Sequence, residues 1–449
     1  MKRLMVPAES LPVVEEADIC VVGGSCTGVF AAIRAARLGA RVVIVEKQNR
    51  FGGVATTGLV CMWHSLFDIT GEKQIIGGLT FETMERLEKR KAIGTFRTAA
   101  ASGVPFNSEE LTLELDAMVT EQKNIRTFFH TVYSRPIMED GAIRGIVAEN
   151  KSGRFIITAG QFIDASGDGL LCRDAGIPMR FAENPQPPTA CAHIENYRAM
   201  KGLDLKALIE RNREKYPDLP CGYSWGTDIP GSAHVYMLAG TRIFHCDCMD
   251  ADAITRAEFE SRRQIRALVE LFQENYPEAR VSLQALPSAI GIREGGHIVS
   301  LCRLNGEEML ADRRFPDTIG AGTYPVDIHG SSDDSISFRQ LTGVSRVFKS
   351  NKLIRVERWL PEGKVLPYYR MTLSCMIPRG SRNLIAAGRM LDADPEAFGA
   401  VRVMVNLNQC GEAAGVAAFC ALDESRDVVS VDAGKVRELL NRGGSLIPD

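Results

Sequence analysis

The first strongly patterned stretch is an unbroken apolar run, Ile19-Cys20-Val21-Val22, that stops at Gly23-Gly24. An alanine-rich segment follows, in which Ala32, Ala35 and Ala36 recur at the i, i+3, i+4 spacing of one helix face. A second apolar run, Val42-Val43-Ile44-Val45, ends in Glu46. Together these predict a βαβ unit. Residues 78–92 carry a helical pattern, and Asn107 with Glu110 resembles a capping box ahead of Leu111, Leu115, Met118 and Val119 on one face. From Ile125 to Ile163 the pattern is strand, turn, strand, turn, strand, with hairpin turns at Asp140-Gly141 and Ser152-Gly153. That meander runs into Asp164-Ala165-Ser166-Gly167-Asp168-Gly169, another strand ending in a glycine turn.

The pattern breaks at Asn184-Pro185-Gln186-Pro187-Pro188, which reads as a boundary. Beyond it, residues 190–360 mix strand-like runs with a helix near 256–275. Ile265, Leu268, Val269 and Phe272 form that helix's apolar stripe, and Thr255 with Glu258 is placed to cap it. Alternating α/β character returns with Asn383–Arg389, a strand ending at Gly388, and with Gln409–Ala418, which opens a helix of small residues.

The βαβ unit carries specific chemistry. Gly23 permits the tight turn at the strand end and Gly28 lets the helix approach the strands. The helix N-terminus offers free N–H groups and partial positive charge to a pyrophosphate. Glu46, 18 residues after Gly28, is placed to accept hydrogen bonds from ribose hydroxyls. Such bonds to a charged acceptor are worth about 1.5–3 kcal/mol. The same carboxylate repels a 2′-phosphate, which argues against NADP. Ser25 replaces the central glycine of G-x-G-x-x-G. Its N–H and hydroxyl still face a phosphate, but its backbone approaches less freely. The unit therefore predicts binding of the ADP part of a dinucleotide.

Composition sets the bounds. The chain of 449 residues, 45% hydrophobic, is long enough for two or three domains. A net charge of −3 with both signs interspersed argues against nucleic acid or an anionic membrane as partner. No segment is apolar enough to span a membrane, and the basic start, Met1–Pro7, lacks the apolar stretch of a signal peptide. Twelve scattered cysteines read as free thiols of a reducing cytoplasm. Cys246-x-Cys248 has no second pair for zinc and reads as two ordinary thiols, so no metal site is expected.

Taken in order, Gly52–Leu59, Ile163–Gly169, Gly291–Glu294, Tyr324–His329, Asn383–Arg389 and Val401–Met404 resemble motifs of the FAD-dependent oxidoreductases. Within the glutathione-reductase-like superfamily the chain is most similar to the fumarate-reductase-like branch. The resemblance spans roughly residues 17–422 and is thinnest between 195 and 285. It implies FAD as cofactor and an α/β fold: a discontinuous Rossmann-like FAD-binding domain of the glutathione-reductase type, residues 1–190 and 365–449, with an inserted α+β substrate-binding cap, 191–364. It also implies cofactor contacts at Gly23, Gly24, Ser25, Thr27, Gly28, Glu46, Lys47, Gly52, Gly53, Ala55, Thr56, Val132, Ala165, Gly167, Asp168, Gly388, Arg389, Gly411 and Ala414. Gly388 and the N-terminus of the helix beginning near Gln409 would face the flavin. Two departures stand out: Ser25, and Gly295-Gly296-His297 where the family tends to carry further arginines. The second puts transfer of any relative's substrate in doubt. The Cys-x₄-Cys pair of flavin disulfide reductases is missing, since Ala55 and Val60 stand at those positions.

The candidate catalytic residues are His329, Arg293, Arg402, His64 and Asp327. Arg402 lies in an apolar run, Val401-Arg402-Val403, where a charge is costly unless paired. Arginines suit a carboxylate, and histidine handles protons near neutral pH. Asp327, two residues from His329, shares its face on an extended strand and would orient the imidazole. Each of these also has an ordinary structural reading as an ion pair or a core residue. The implied reaction is two-electron transfer between FAD and a small molecule bearing a carboxylate or hydroxyl. An electron-transfer subunit serving a redox partner, and a non-redox enzyme with structural FAD, stay open as alternatives. So do oligomeric state and covalent attachment of FAD through a histidine.

Overall fold

The computed structural model describes residues 4–448 apart from Val6, 99–102 and 221–222; the basic start of the chain falls largely outside them. Five parallel strands form its central sheet, in the order Ile125–Phe128, Val42–Val45, Val13–Val22, Gly153–Asp164 and Leu384–Ala386. Ile19 lies beside Val42, and Val22 beside Asp164. On the edge away from Val13–Val22, the first half of Gly153–Asp164 pairs with an antiparallel meander, Val132–Glu139 and Ala142–Asn150. Asp140 and Gly141 both take positive φ, the mirror-type hairpin turn that dipeptide favours.

The apolar runs are continuous because both faces of the sheet are covered. Ile19, Val21, Val42 and Ile44 join the main core under the helices, while Cys20, Val22, Val43 and Val45 join a second core under the meander. This is the period-two alternation of a strand made visible in two separate packings.

The helix Cys26–Arg37 packs on the last long helix, Met404–Asp423, almost backbone to backbone. A Cβ on Gly411 would lie 2.2 Å from the Thr27 carbonyl oxygen, and one on Gly415 would lie 2.2 Å from that of Ala31. Arg34 and Glu412 form a buried ion pair across this seam, joined by Ser445.

Asn107 caps the helix Ser108–Thr120 by accepting from the N–H groups of Glu109 and Glu110, and the expected apolar face is buried. Two helix starts differ from expectation. The helix of the central region begins at Ala251, where the Asp250 side chain accepts from Ala253 N–H; Thr255 lies inside it, donating to the Ala251 carbonyl. The last long helix begins at Met404, five residues before Gln409. Asn406, Asn408 and Gln409 are buried amides that break the apolar periodicity by which a helix is recognised.

A third core is separate. It lies between the antiparallel sheet Trp225–Asp228, Val235–Ala239, Cys191–Glu195, Ser282–Ala285 and the helix Ala251–Asn275. The stripe Ile265, Leu268, Val269 and Phe272 faces it. A four-stranded antiparallel sheet follows: Val326–His329, Ser335–Arg339, Val344–Lys349 and Lys352–Arg358.

Candidate active site

The strand Val13–Val22 ends at Gly23, whose φ is +111° and where a Cβ would come within 2.3 Å of the Ala165 carbonyl oxygen. Only glycine fits so close an approach in that conformation. Gly28 is as tightly placed, since a Cβ there would lie 2.0 Å from the Gly23 carbonyl oxygen. Ser25 caps the helix, its hydroxyl accepting from Gly28 N–H at 3.4 Å. The hydroxyl that stands where a glycine was expected therefore has a local partner. Gly52 donates to the Gly24 carbonyl at 2.8 Å, which lays the Gly52-Gly53 loop across the first turn.

Glu46 holds this turn together. One carboxylate oxygen accepts from Gly24 N–H at 2.6 Å and the other from Gln48 N–H at 2.7 Å. Each oxygen keeps a lone pair for a ribose hydroxyl. Lys47 is exposed, and Val132 is 54% exposed, one residue beyond Thr131, whose N–H donates to the Glu46 carbonyl. Thr56 donates to the Phe51 carbonyl, and Ala55 is buried with its carbonyl accepting from Ser108.

Just beyond the strand Gly153–Asp164, Asp168 and Arg389 form an ion pair that covers Gly167. Gly388 takes φ +132°, and Arg389 Nε has no hydrogen-bond partner. Gly411 meets Thr27, another of the cofactor candidates, at the helix seam, and Ala414 lies in the main core. Asn408 was not anticipated. It is 1% exposed, and neither its amide oxygen nor its nitrogen has a partner. It lies one turn before Gly411 on the helix face that meets the first helix, towards the Gly23–Ser25 turn. An unpaired buried amide beside an anion-binding turn fits a polar dinucleotide.

The catalytic candidates converge. Asp327 and His329 sit on one strand, and His329 Nε2 lies 3.2 Å from Asp327 Oδ1, off the line of a full hydrogen bond. Asp327 Oδ2 accepts from the Tyr324 hydroxyl at 2.7 Å and from Arg402 at 2.8 Å. Arg402 ends the helix Pro395–Val401, which packs on the Asp327 strand. His64 joins at the edge, its ring 4.3 Å from that of Tyr324. Arg293 donates to the Pro187 carbonyl and to Thr189 Oγ1, both at 2.5 Å. Its position is set by Gly291, bridged to Thr189, and by Ser288, whose N–H donates to the Thr57 carbonyl behind the Gly52-Gly53 loop.

Sequence reasoning missed two members. Arg242 is held by a two-way bond between its backbone and Gln264, and it pairs with Asp334 at 3.3 Å. It stands next to Ile243-Phe244, an apolar setting much like the one that singled out Arg402. Gln186, within the proline-rich segment read as a boundary, is buried: its side chain accepts from His329 N–H at 3.2 Å and its N–H donates to Glu294 at 2.9 Å.

Electrostatics follow from this crowding. Burial and the charges of Arg402 and Arg242 lower Arg293 to about 10. Burial, then the Arg293 charge, lowers His329 to about 3, against an opposing pull from Asp327. Burial alone would raise Asp327, but His329 and Arg402 outweigh it and hold the carboxyl well below its ordinary range. Burial and the Asp327 charge push Tyr324 well up. His329 is thus neutral at physiological pH, with Nδ1 buried and unpartnered.

Among the described residues no three His, Cys, Asp or Glu side chains are grouped to hold a metal ion, and no helix is long and apolar enough to cross a membrane.

A parallel, Rossmann-like sheet with glycine turns at its strand ends is the architecture of a dinucleotide-binding protein. The chain belongs to the FAD dependent oxidoreductase family, whose model matches residues 18–440, and FAD is its cofactor. No curated protein sequence matches it. Solved structures matched to the chain include a geranylgeranyl bacteriochlorophyll reductase-like protein from Thermoplasma acidophilum, at 16% identity, 95% coverage of this chain, 84% of that one and TM-score 0.49. A myxobacterial chondrochloren halogenase matches at 13% identity, with 96% and 79% coverage and TM-score 0.43. The p-nitrophenol 4-monooxygenase of Pseudomonas putida DLL-E4 matches at 12% identity, with 65% and 71% coverage and TM-score 0.42.

Proposed function

We propose that the chain, an FAD enzyme of the glutathione-reductase-like superfamily and its fumarate-reductase-like branch, carries out two-electron transfer between FAD and a small organic acid. The observation that carries this is Arg293. It is a largely enclosed guanidinium whose bonds go to two neutral acceptors, while two further guanidiniums lie near enough to depress its pKa. Three arginines face two carboxylates, Asp327 and Asp334, and the nearby Glu294 is engaged by Gln186 and His297. A carboxylate bound at Arg293 would supply the missing charge through a charge-assisted bond.

Bound FAD supplies the two-electron acceptor or donor at its N5. The residues of the chain bind, orient and handle the proton. Arg293 and Arg242 hold the acid, Arg402 and Tyr324 fix Asp327, and the Asp327 charge beside Nε2 of His329 favours the proton on that nitrogen, so that Nδ1 presents its lone pair. A neutral imidazole suits proton removal, which supports the oxidative direction. An anion beside Arg293 would raise the His329 pKa towards a useful value.

The assignment of residues 1–190 and 365–449 to FAD and 191–364 to the substrate cap is supported by the separate core between Ala190 and Ile290. Leu304, Ile319 and Val326 pack into the main core, so the cap's own core is narrower than its sequence span. A reducing, cytoplasmic setting is supported by eleven described cysteines that are all free.

The test is anaerobic mixing of the holoenzyme with a panel of carboxylic acids and their methyl esters, following the flavin's visible absorbance. Bleaching by an acid but not by its ester is expected. A flavin that dithionite reduces but no acid perturbs would overturn the proposal. A second reading, an electron-transfer subunit docking a redox partner protein, is supported by the strand Lys352–Arg358, exposed along its length with Leu353, Ile354 and Val356 uncovered.

A further inference from the structure

We infer that the substrate of this site is an aromatic acid, its ring received by Tyr223, Phe338 and Phe348 while its carboxylate meets the arginines; this rests on the arginine cluster being the substrate site.

The strand register places the rings. Asp327 is paired with Phe338, and His329 with Ile336, which is in turn paired with Phe348. Directly paired residues of antiparallel strands project to the same side of the sheet. Phe338 and Phe348 therefore share a face with Asp327 and His329. Tyr223 completes the group from outside the sheet, its ring 6.2 Å from Phe338 and 6.4 Å from Phe348, and those two rings stand edge to face at 6.1 Å. The Arg242 guanidinium lies over the Tyr223 ring at 5.4 Å. Burial and the Asp327 charge raise the Tyr223 hydroxyl, which ties this ring to the catalytic strand as well.

These rings do not serve the fold in the usual way. None of the three belongs to any of the three hydrophobic cores, and each is only half-buried. Tilted and edge-on contacts at these separations are the geometry by which aromatic rings pack, and a further ring joins Phe338 and Phe348 in the same way, since Arg242 already lies over Tyr223. A small dicarboxylate would use the arginines and leave this wall unused. A ligand with a planar apolar ring and one carboxylate uses both.

The experiment measures dissociation constants of the holoenzyme from perturbation of its flavin spectrum. The probes are 3-phenylpropionate, 3-cyclohexylpropionate, succinate and 3-phenylpropanol. Phenylpropionate is expected to bind at least about tenfold more tightly than each of the others. Phe338→Ala and Phe348→Ala should each weaken phenylpropionate about fivefold or more and leave succinate unchanged. Phe338→Leu, which keeps the apolar volume, should fall between, and retained FAD content verifies that each variant is folded. Succinate or cyclohexylpropionate binding as tightly as phenylpropionate would overturn the aromatic assignment while leaving the arginine site standing, as would variants that weaken all acids alike. Failure of every acid to perturb the flavin would overturn the arginine site itself.

Discussion

Arg402 grips Asp327 twice. Its Nη2 donates to the carboxylate at 2.8 Å and to the same residue's backbone carbonyl at 3.2 Å, so one guanidinium fixes both the charge and the chain that carries it. Arg402→Met would leave the Asp327 carboxylate enclosed with only Tyr324 and His329. Removing one partner of a buried pair costs about 3–5 kcal/mol. Chemical denaturation of the holoenzyme should show that loss. Arg402→Lys, whose single ammonium lacks the fork, should restore only part of it.

His329→Asn should slow flavin reduction by the true substrate by about 10²–10⁴-fold, the usual range for a general base. Single-turnover kinetics at saturating substrate check this. Unchanged kinetics would assign proton handling elsewhere.

The same residue predicts an acid-sensitive fold. In the unfolded chain this imidazole takes up a proton near its ordinary 6.5, whereas in the folded chain it does so only near 3. The unfolded state therefore binds the proton first, and stability falls as pH drops through that window. Each pH unit within it costs up to about 1.4 kcal/mol. Asp327, held below its ordinary 3.8, adds stability that fades only at still lower pH. The difference in denaturation midpoint between about pH 7 and about pH 4.5 should shrink in His329→Asn.

Gly411→Ala and Gly415→Ala drive a methyl to 2.2 Å from a carbonyl oxygen of the first helix. Neither backbone yields cheaply, so each should cost about 1–3 kcal/mol, as overpacked cores do. Thermal unfolding and FAD content should fall together, because the seam supports the helix that follows the Gly23–Gly24 turn.

Glu46→Ala removes the acceptor for Gly24 and Gln48 N–H and the charge offered to ribose. FAD affinity should drop about tenfold or more, given about 1.5–3 kcal/mol for a charged acceptor. Apoprotein titrated with FAD, followed by quenching of flavin fluorescence, measures it.

The βαβ unit, the meander and its Asp140-Gly141 turn were legible because two-residue periodicity and turn chemistry are local. Arg402 stood out as a candidate because its apolar run makes a charge costly without a partner, whereas Arg293 and His329 stood out through motifs that resemble the family's and Asp327 through its two-residue spacing from His329. Their mutual contact was not legible: Arg402 and Asp327 are 75 positions apart. Arg242 escaped because its partner, Asp334, is 92 positions away. Gln186 was masked by its prolines, which signal a break in regular structure and say nothing of burial. The start of the last long helix was hidden by Asn406 and Asn408, polar residues placed inside, where tertiary contacts override the pattern.

The glycine seam also has a consequence for synthesis. The helix Cys26–Arg37 leaves the ribosome long before the surface it rests on, Gly411 and Gly415, has been made. Until Gly415 and its helix have been made, Ala31 and its neighbours have no lid. The nascent protein must wait, apolar flank uncovered, before it can keep its coenzyme.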